Sequence, residues 1–316
     1  MKTVCFVTGA SGFVGANVTR LFIEKGYDVY VLLRGKIIPW RLKEIAHKVQ
    51  MIQGDICQSQ TSRLIQKLHP DYIFHLATYG AYPQETEVDR MVQVNVKGTI
   101  NMIQAALLVR PKLFINTGSS SEYGVKEQAM KETDMLAPIN DYGVTKAAAT
   151  LYCQKEALRA GLAVITFRLF SVYGPYEAKQ RLIPSLILGA LKNLPISLSH
   201  HDHVRDFLYT KDVASAYLAA TTATHTSGAI YNIGSAKQTS VEDVAKLIIA
   251  LTKSSSRLDW GQVQKQERQM EPAHWLADRT KALRVFGWKP RHTLRSGLES
   301  AITWFKKRQQ SYEQLN

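Results

Sequence analysis

Thr3-Val4-Cys5-Phe6-Val7-Thr8-Gly9-Ala10-Ser11-Gly12-Phe13-Val14-Gly15 is an apolar run that breaks into glycines spaced three apart. The spacing predicts a buried strand over residues 3–8, a glycine turn, and a helix over 13–25. Each glycine has a separate task. Gly9 lets the chain leave the strand tightly, Gly12 lets backbone approach an anion, and Gly15 lets the helix pack close to the sheet. The start of such a helix offers free N–H groups and a partial positive charge, which suits the pyrophosphate of a dinucleotide.

Outward from this stretch the pattern alternates. Strands are expected at 28–33, 49–53, 72–76, 113–116 and 163–169, with helices at 59–68, 88–109 and 142–159 between them. Apolar strands alternating with amphipathic helices specify an α/β fold, a doubly wound parallel (Rossmann) sheet with ligands at the carboxyl ends of its strands. Regularity fades after Gly174-Pro175, where a helix at 182–191, a strand then helix over 204–220, and a strand at 230–233 are expected. A helix opened by Thr239-Ser240-Val241-Glu242 as a capping box and a last helix at 293–307 follow. The reading is a dinucleotide-binding domain at 1–172, with 206–234 returning to it. A smaller C-terminal substrate-binding lobe takes 173–205 and 235–316.

Bulk properties narrow the classes. The chain has 316 residues, 45% of them hydrophobic, enough for one large and one small unit. It contains no apolar run of about 18 residues, which excludes a membrane-spanning helix. The N-terminus runs into the glycine turn without a cleavage site and reads as a strand, not a signal peptide. Cys5, Cys57 and Cys153 are odd in number and lack a CxxC pair, which suits a reducing cytoplasm and excludes a thiolate metal site. The net charge of +14 raises nucleic acid as a partner. The basic residues are spread along the chain without a block or motif, so the expected ligands are small anions such as nucleotide diphosphates.

Two further patterns carry chemistry. Tyr142 and Lys146 stand four apart on one helix face, where an ammonium, with the charge of an oxidised nicotinamide, makes a phenol a usable acid–base. The fifth strand leads into Asn116-Thr117-Gly118-Ser119-Ser120-Ser121-Glu122 at the carboxyl edge. There Ser119 is placed to hold the reacting oxygen, with Ser120 and Ser121 beside the substrate. The second strand ends in Arg34-Gly35-Lys36 instead of the acidic residue that reads an NAD ribose, which points to the 2′-phosphate of NADP.

With these residues in view the chain resembles an extended short-chain dehydrogenase/reductase of the NAD-dependent epimerase/dehydratase family, which modifies nucleotide-linked sugars. The likeness spans nearly the whole length. It rests on Gly9 to Gly15, Gly54-Asp55-Ile56, Phe74-His75-Leu76-Ala77, Asn95-Val96-Lys97-Gly98-Thr99, Ser119, Tyr142/Lys146, Arg168-Leu169-Phe170-Ser171-Val172-Tyr173-Gly174-Pro175, Arg205-Asp206-Phe207, Tyr231-Asn232-Ile233-Gly234 and Gly287-Trp288-Lys289-Pro290. The resemblance implies a Ser119/Tyr142/Lys146 triad. It implies cofactor contacts from Gly9, Ser11, Gly12, Phe13, Val14, Gly15, Arg34, Asp55, Ile56, Leu76, Ala77, Thr78, Asn95, Thr117, Tyr142, Lys146, Phe170 and Val172. Substrate contacts would come from Tyr79, Ser119, Ser120, Ser121, Arg205 and Arg268, with Arg205 on the diphosphate. A homodimer through the helices at 88–109 and 142–159 is expected on the same ground.

Departures bear on the reaction. The family's 4,6-dehydratases carry an acid just after the triad Ser/Thr, and the matching places here are Ser120 and Ser121, with Glu122 one residue late. Dehydration is disfavoured, leaving net reduction or 4-epimerisation. Arg34 tilts toward reduction of a nucleotide-diphosphate 4-keto-6-deoxy sugar with NADP. The alternative is a 4-epimerase holding NAD, and a remote one is a non-catalytic redox-sensing or nucleic-acid-binding relative. Segments around His75 and Arg205 are similar to CDP-4-keto-6-deoxyhexose 4-reductases. His200-His201-Asp202-His203 lacks a further ligand at fixed spacing, so no metal site is expected. Trp275 and Arg268 lie where a C-terminal stretch closes over the nucleotide or packs the lobe.

Overall fold

The computed structural model describes residues 2–198, 203–261 and 274–313. Twelve strands are present among them: β1 (Val4–Thr8), β2 (Asp28–Leu33), β3 (Gln50–Gln53), β4 (Tyr72–His75), β5 (Leu113–Ser119), β6 (Val164–Leu169), β7 (Ser171–Tyr173), β8 (Ile196–Leu198), β9 (Val204–Tyr209), β10 (Ile230–Ile233), β11 (Gln238–Ser240) and β12 (Leu258–Trp260). The helices are α1 (Phe13–Glu24), α2 (Gln60–Leu68), α3 (Val88–Met91), α4 (Gly98–Val109), α5 (Asp141–Ala160), α6 (Leu182–Leu191), α7 (Thr210–Ala220), α8 (Val241–Thr252), α9 (Thr280–Phe286) and α10 (Leu294–Glu313).

Seven strands form one parallel sheet in the order β10-β6-β5-β4-β1-β2-β3. Its strands are apolar on both sides because helices cover both faces. Cys5, Phe6 and Val7 of β1 have no exposed surface, nor do Ile73 and Phe74 of β4 or Phe114 and Ile115 of β5. Strand order changes direction at β1, which pairs with β2 on one side and β4 on the other. The crevice outside that point is where such a sheet takes its ligand.

The smaller lobe has its own core. Leu186 and Ile187 of α6, Val244 and Ile248 of α8, and Leu298 and Phe305 of α10 are wholly buried together. β7 pairs in parallel with β9, which pairs antiparallel with β11, and β8 pairs with β12. Residues 171–173 and 204–209 therefore stand in the small sheet, while β10 returns to the large one beside β6.

Three local readings differ from the sequence expectation. The helix over 88–109 is interrupted: a π turn at Val92–Lys97 separates α3 from α4. Apolar periodicity does not register a widened turn, and the turn directs Asn95 inward, where π turns often serve a site. β5 continues past Asn116 to Ser119, because its polar residues find partners within the fold, Asn116 Nδ2 donating to Thr166 Oγ1 at 3.2 Å. The cap of α8 is Ser240, whose Oγ accepts from Asp243 N at 3.0 Å, one residue beyond the predicted Thr239/Glu242 box.

Candidate active site

A cleft of 870 Å³ opens at the carboxyl ends of β1, β4, β5 and β6. One end of it is built by the first glycine turn. Gly9 has φ +73°, and a Cβ there would stand 2.5 Å from Ala77 N; one on Gly15 would stand 2.1 Å from Gly9 O. Only hydrogen fits at either place, so α1 begins immediately under the turn. Ser11, Gly12, Phe13 and Val14 line the cleft, and the first turn of α1 has neither a side-chain cap nor an acidic residue. An anion can take those N–H groups. The residues present thus fit the pyrophosphate of a dinucleotide.

The cleft runs from the turn past Arg34, Asp55 and Ile56 in one direction and past Leu76, Ala77 and Thr78 in the other. Arg34 is exposed and on the wall, whereas the equally exposed Lys36 is not among the lining residues. Asp55 Oδ1 accepts from Cys57 N at 2.9 Å, and Ile56 packs under Gly98. Beneath Leu76, His75 bonds Thr8 Oγ1 at 2.7 Å and Thr99 Oγ1 at 3.0 Å. Burial, with the charge on Lys146, brings the imidazole down to about 3, so it is a neutral strut between strand and helix.

Asn95 is placed behind the wall and not on it. Its amide accepts from Thr78 Oγ1 and Tyr79 N at 2.9 Å each, and donates to Tyr79 O at 2.8 Å and Thr145 Oγ1 at 3.0 Å. It therefore shapes the loop after β4, with its whole bonding capacity used. Thr117, Phe170 and Val172 do line the cleft, with Thr117 Oγ1 bonded to Tyr217 OH at 2.6 Å.

Ser119 and Tyr142 meet in the middle. Asn140 caps α5 by accepting from Gly143 N at 2.7 Å, which fixes the first turn carrying Tyr142. Burial pushes the Tyr142 phenol up; hydrogen bonding with Thr78 and Ser119 and the charge on Arg181 pull the other way, and Glu122 adds to the rise. The protein's own groups thus leave Tyr142 a neutral phenol, and the expected acidification needs a ligand's positive charge as well. Lys146 lies one turn on, 3% exposed and off the cleft wall. Burial pushes its ammonium down, against the opposing pull of Glu122.

Ser119 is oriented from two sides. Its Oγ accepts from Ser121 N at 3.1 Å, which leaves the hydroxyl proton to be donated outward. Its N–H donates to Glu122 Oε1 at 2.8 Å. Glu122 points away from the cleft: it has no exposed surface, and its Oε2 accepts from Arg168 Nε at 2.8 Å. Burial pushes the carboxyl up while Arg168 pulls it down, and the guanidinium beside it stays charged. Glu122, the acid nearest the triad serine in sequence, is committed to the interior.

The far end is lined by Tyr79, Ser120, Ser121, Arg205 and Trp275. Trp275 Nε1 donates to Ser120 Oγ at 3.1 Å, and Arg205 lies over the indole at 5.6 Å. Asp206, next in sequence, accepts from Ser235, Ala236 and Ala277 N–H groups at 2.6, 3.0 and 3.0 Å, which ties the Trp275 segment to the small sheet. Arg268, His200, His201 and Asp202 lie outside the described residues. Among the described ones no group of three or more His, Cys, Asp or Glu is arranged to hold a metal ion.

Sequence reasoning missed Glu177, Arg181, Arg90 and Tyr82, which also line the cleft. Glu177 is buried, its carboxyl pushed up to about 8 by desolvation against Arg181 at 3.7 Å. Arg181 is the N-cap of α6, six residues past Pro175; charged residues in the short stretch between the carboxyl end of β7 and α6 were the signal available.

The profile of the family "NAD dependent epimerase/dehydratase family" matches residues 5–234. A dTDP-glucose 4,6-dehydratase of Neisseria meningitidis is 27% identical, over 95% of this chain and 92% of its own. A UDP-glucose 4-epimerase of Thermotoga maritima, solved with UDP-glucose, is 25% identical with a TM-score of 0.88, over 97% of this chain and 100% of its own. A UDP-glucuronic acid 4-epimerase of Bacillus cereus, solved with UDP-glucuronic acid and NAD, is 25% identical with a TM-score of 0.85, over 96% and 99% of the two chains.

Proposed function

The chain belongs to the NAD dependent epimerase/dehydratase family, and from that membership we propose that it reduces the 4-keto group of a nucleotide-diphosphate 4-keto-6-deoxy sugar with NADPH. It is a nucleotide-sugar-modifying, NAD(P)-dependent enzyme; the reaction and the cofactor preference are our reading. The observation that carries it is Arg34, exposed on the cleft wall at the end of β2, where a guanidinium suits a 2′-phosphate. Dehydration is disfavoured because Ser120 and Ser121 supply no acid and Glu122 is locked to Arg168.

When bound, the nicotinamide supplies a hydride to C4. Tyr142, a neutral phenol, gives its proton to the C4 oxygen, so that C=O becomes CH–OH by uptake of one hydride and one proton. Ser119, its lone pair held by Ser121 N–H, donates to that same oxygen and orients it. Lys146 stabilises the phenolate left on Tyr142. Arg205 and Arg181 supply charge for the substrate diphosphate.

A second reading, 4-epimerisation with retained NAD, is favoured by the names of the two 4-epimerases at 25% identity and uses the same triad. We also expect a homodimer: Val144, Leu151 and Leu158 repeat every seven residues on α5 and are 51%, 54% and 86% exposed. The cytoplasm remains the expected location, the three cysteines being free and no described helix being long and apolar enough to cross a membrane.

The deciding experiment denatures purified protein, identifies any released dinucleotide by mass, and titrates NADPH and NADH into the stripped protein. An empty site preferring NADPH, followed by turnover of 4-keto sugar nucleotides, is expected. Tightly held NAD would replace this reading with the epimerase.

A further inference from the structure

Arg41 stands on the segment Trp40–Lys48, outside every motif read from the sequence, yet it joins two parts of the cleft. Its Nη1 donates to Ser11 O in the glycine turn at 3.3 Å, and its Nε donates to Tyr176 O at 2.8 Å. Tyr176 is a buried non-glycine residue at φ +70°, a conformation that costs energy and persists only when its surroundings hold it. The holding groups are visible. Asn17 Nδ2 donates to Pro175 O at 2.9 Å, Arg20 stacks on the Tyr176 ring at 3.8 Å, and Glu44 accepts from the Tyr176 hydroxyl. Trp304 of α10 closes on the same ring at 4.7 Å, and Arg308 of α10 donates to Glu44 at 2.9 Å. The next residue, Glu177, is on the cleft wall.

We propose that Arg41 is a positioning residue for the dinucleotide diphosphate: by gripping the Ser11 and Tyr176 carbonyls it fixes the glycine turn against the segment that leads to Glu177 on the cleft wall. Its guanidinium also places a fixed positive charge one residue from the N–H groups that receive the phosphates. The last helix of the chain braces this arrangement at a distance, through Trp304, Arg308 and Glu44. The inference rests on the cleft's being a dinucleotide site and not on the reductase reading, so the test uses no sugar substrate.

Cofactor-stripped Arg41→Met, which keeps the apolar stem, is compared with wild type for affinity to NADH, NADPH and ADP-ribose by calorimetry. Adenosine is followed by saturation-transfer NMR, which reads millimolar binding. All three diphosphates are expected to weaken by the same factor, about tenfold, with adenosine unchanged. Arg41→Lys, which keeps the charge and the fold but not the fork, is expected to fall between. Unchanged affinity for the diphosphates in either variant, or an equal loss for adenosine, would overturn the proposal. A loss confined to NADPH would assign Arg41 to the 2′-phosphate instead and overturn it equally.

Discussion

Replacing Glu122 by Gln tests the interior that holds the triad serine. The substitution preserves size and an oxygen for the Ser119 amide, and removes only the charge facing Arg168. Arg168 is 1% exposed, its Nη1 has no hydrogen-bond partner, and beside Glu122 it has the neutral Tyr123 ring at 4.5 Å, so Glu122 is the anion that compensates a buried guanidinium. Breaking such a pair costs about 3–5 kcal/mol. At about 2.1 cal/mol/K of unfolding entropy per residue, that corresponds for 316 residues to a fall in Tm of about 4–8 °C. The assay is a double-mutant cycle by thermal and urea denaturation on wild type, Glu122→Gln, Arg168→Met and the double variant. The double variant, with no charge left to bury, should recover most of what either single change loses, because an apolar replacement of a buried pair is often close to neutral. A Glu122→Gln protein melting within about 2 °C of wild type, or losses that simply add, would refute the reasoning.

Tyr142→Phe should lower turnover by about 10²–10⁴-fold, the contribution of a positioned acid, while dinucleotide affinity measured by fluorescence titration stays near wild type. Arg34→Ser should weaken NADPH by at least about tenfold and leave NADH unchanged, measured by the same titration. Equal losses for both cofactors would remove Arg34 from the adenosine site. Glu177 has a folded-state value of about 8 against an ordinary 4.5, so its contribution to stability is full below about 4.5 and is lost as pH rises through 8. Glu177→Gln should therefore gain stability relative to wild type across that window in urea melts, and a constant difference would count against it.

The large sheet was legible because its signals are local: a glycine spacing, apolar runs and intervening amphipathic stretches. So were Ser119 and Tyr142, which stand at the ends of elements the pattern locates. What escaped depends on contacts distant in sequence. Whether Glu122 faces the cleft or the interior is decided by Arg168, 46 residues away. Asn95 looks like a ligand contact until the π turn and the loop after β4 are seen to use its entire amide. Arg41 carries no signal, because its partners lie 30 and 135 residues off. The pairing of Lys146 with Tyr142 is legible from spacing, but the burial that pushes both groups toward their neutral forms is not.

Trp275 gives the molecule an optical gauge. Of the five tryptophans, Trp40, Trp260, Trp288 and Trp304 are away from the cleft wall, and Trp275 alone is on it, its indole N–H held by Ser120 and its face under Arg205. Its emission is set by that bond and that cation, and a reduced nicotinamide in the same cleft absorbs where an indole emits. Occupancy can thus be followed without a label by the loss of indole emission, and the share of that loss that Trp275→Phe removes is the part reported from the cleft wall itself.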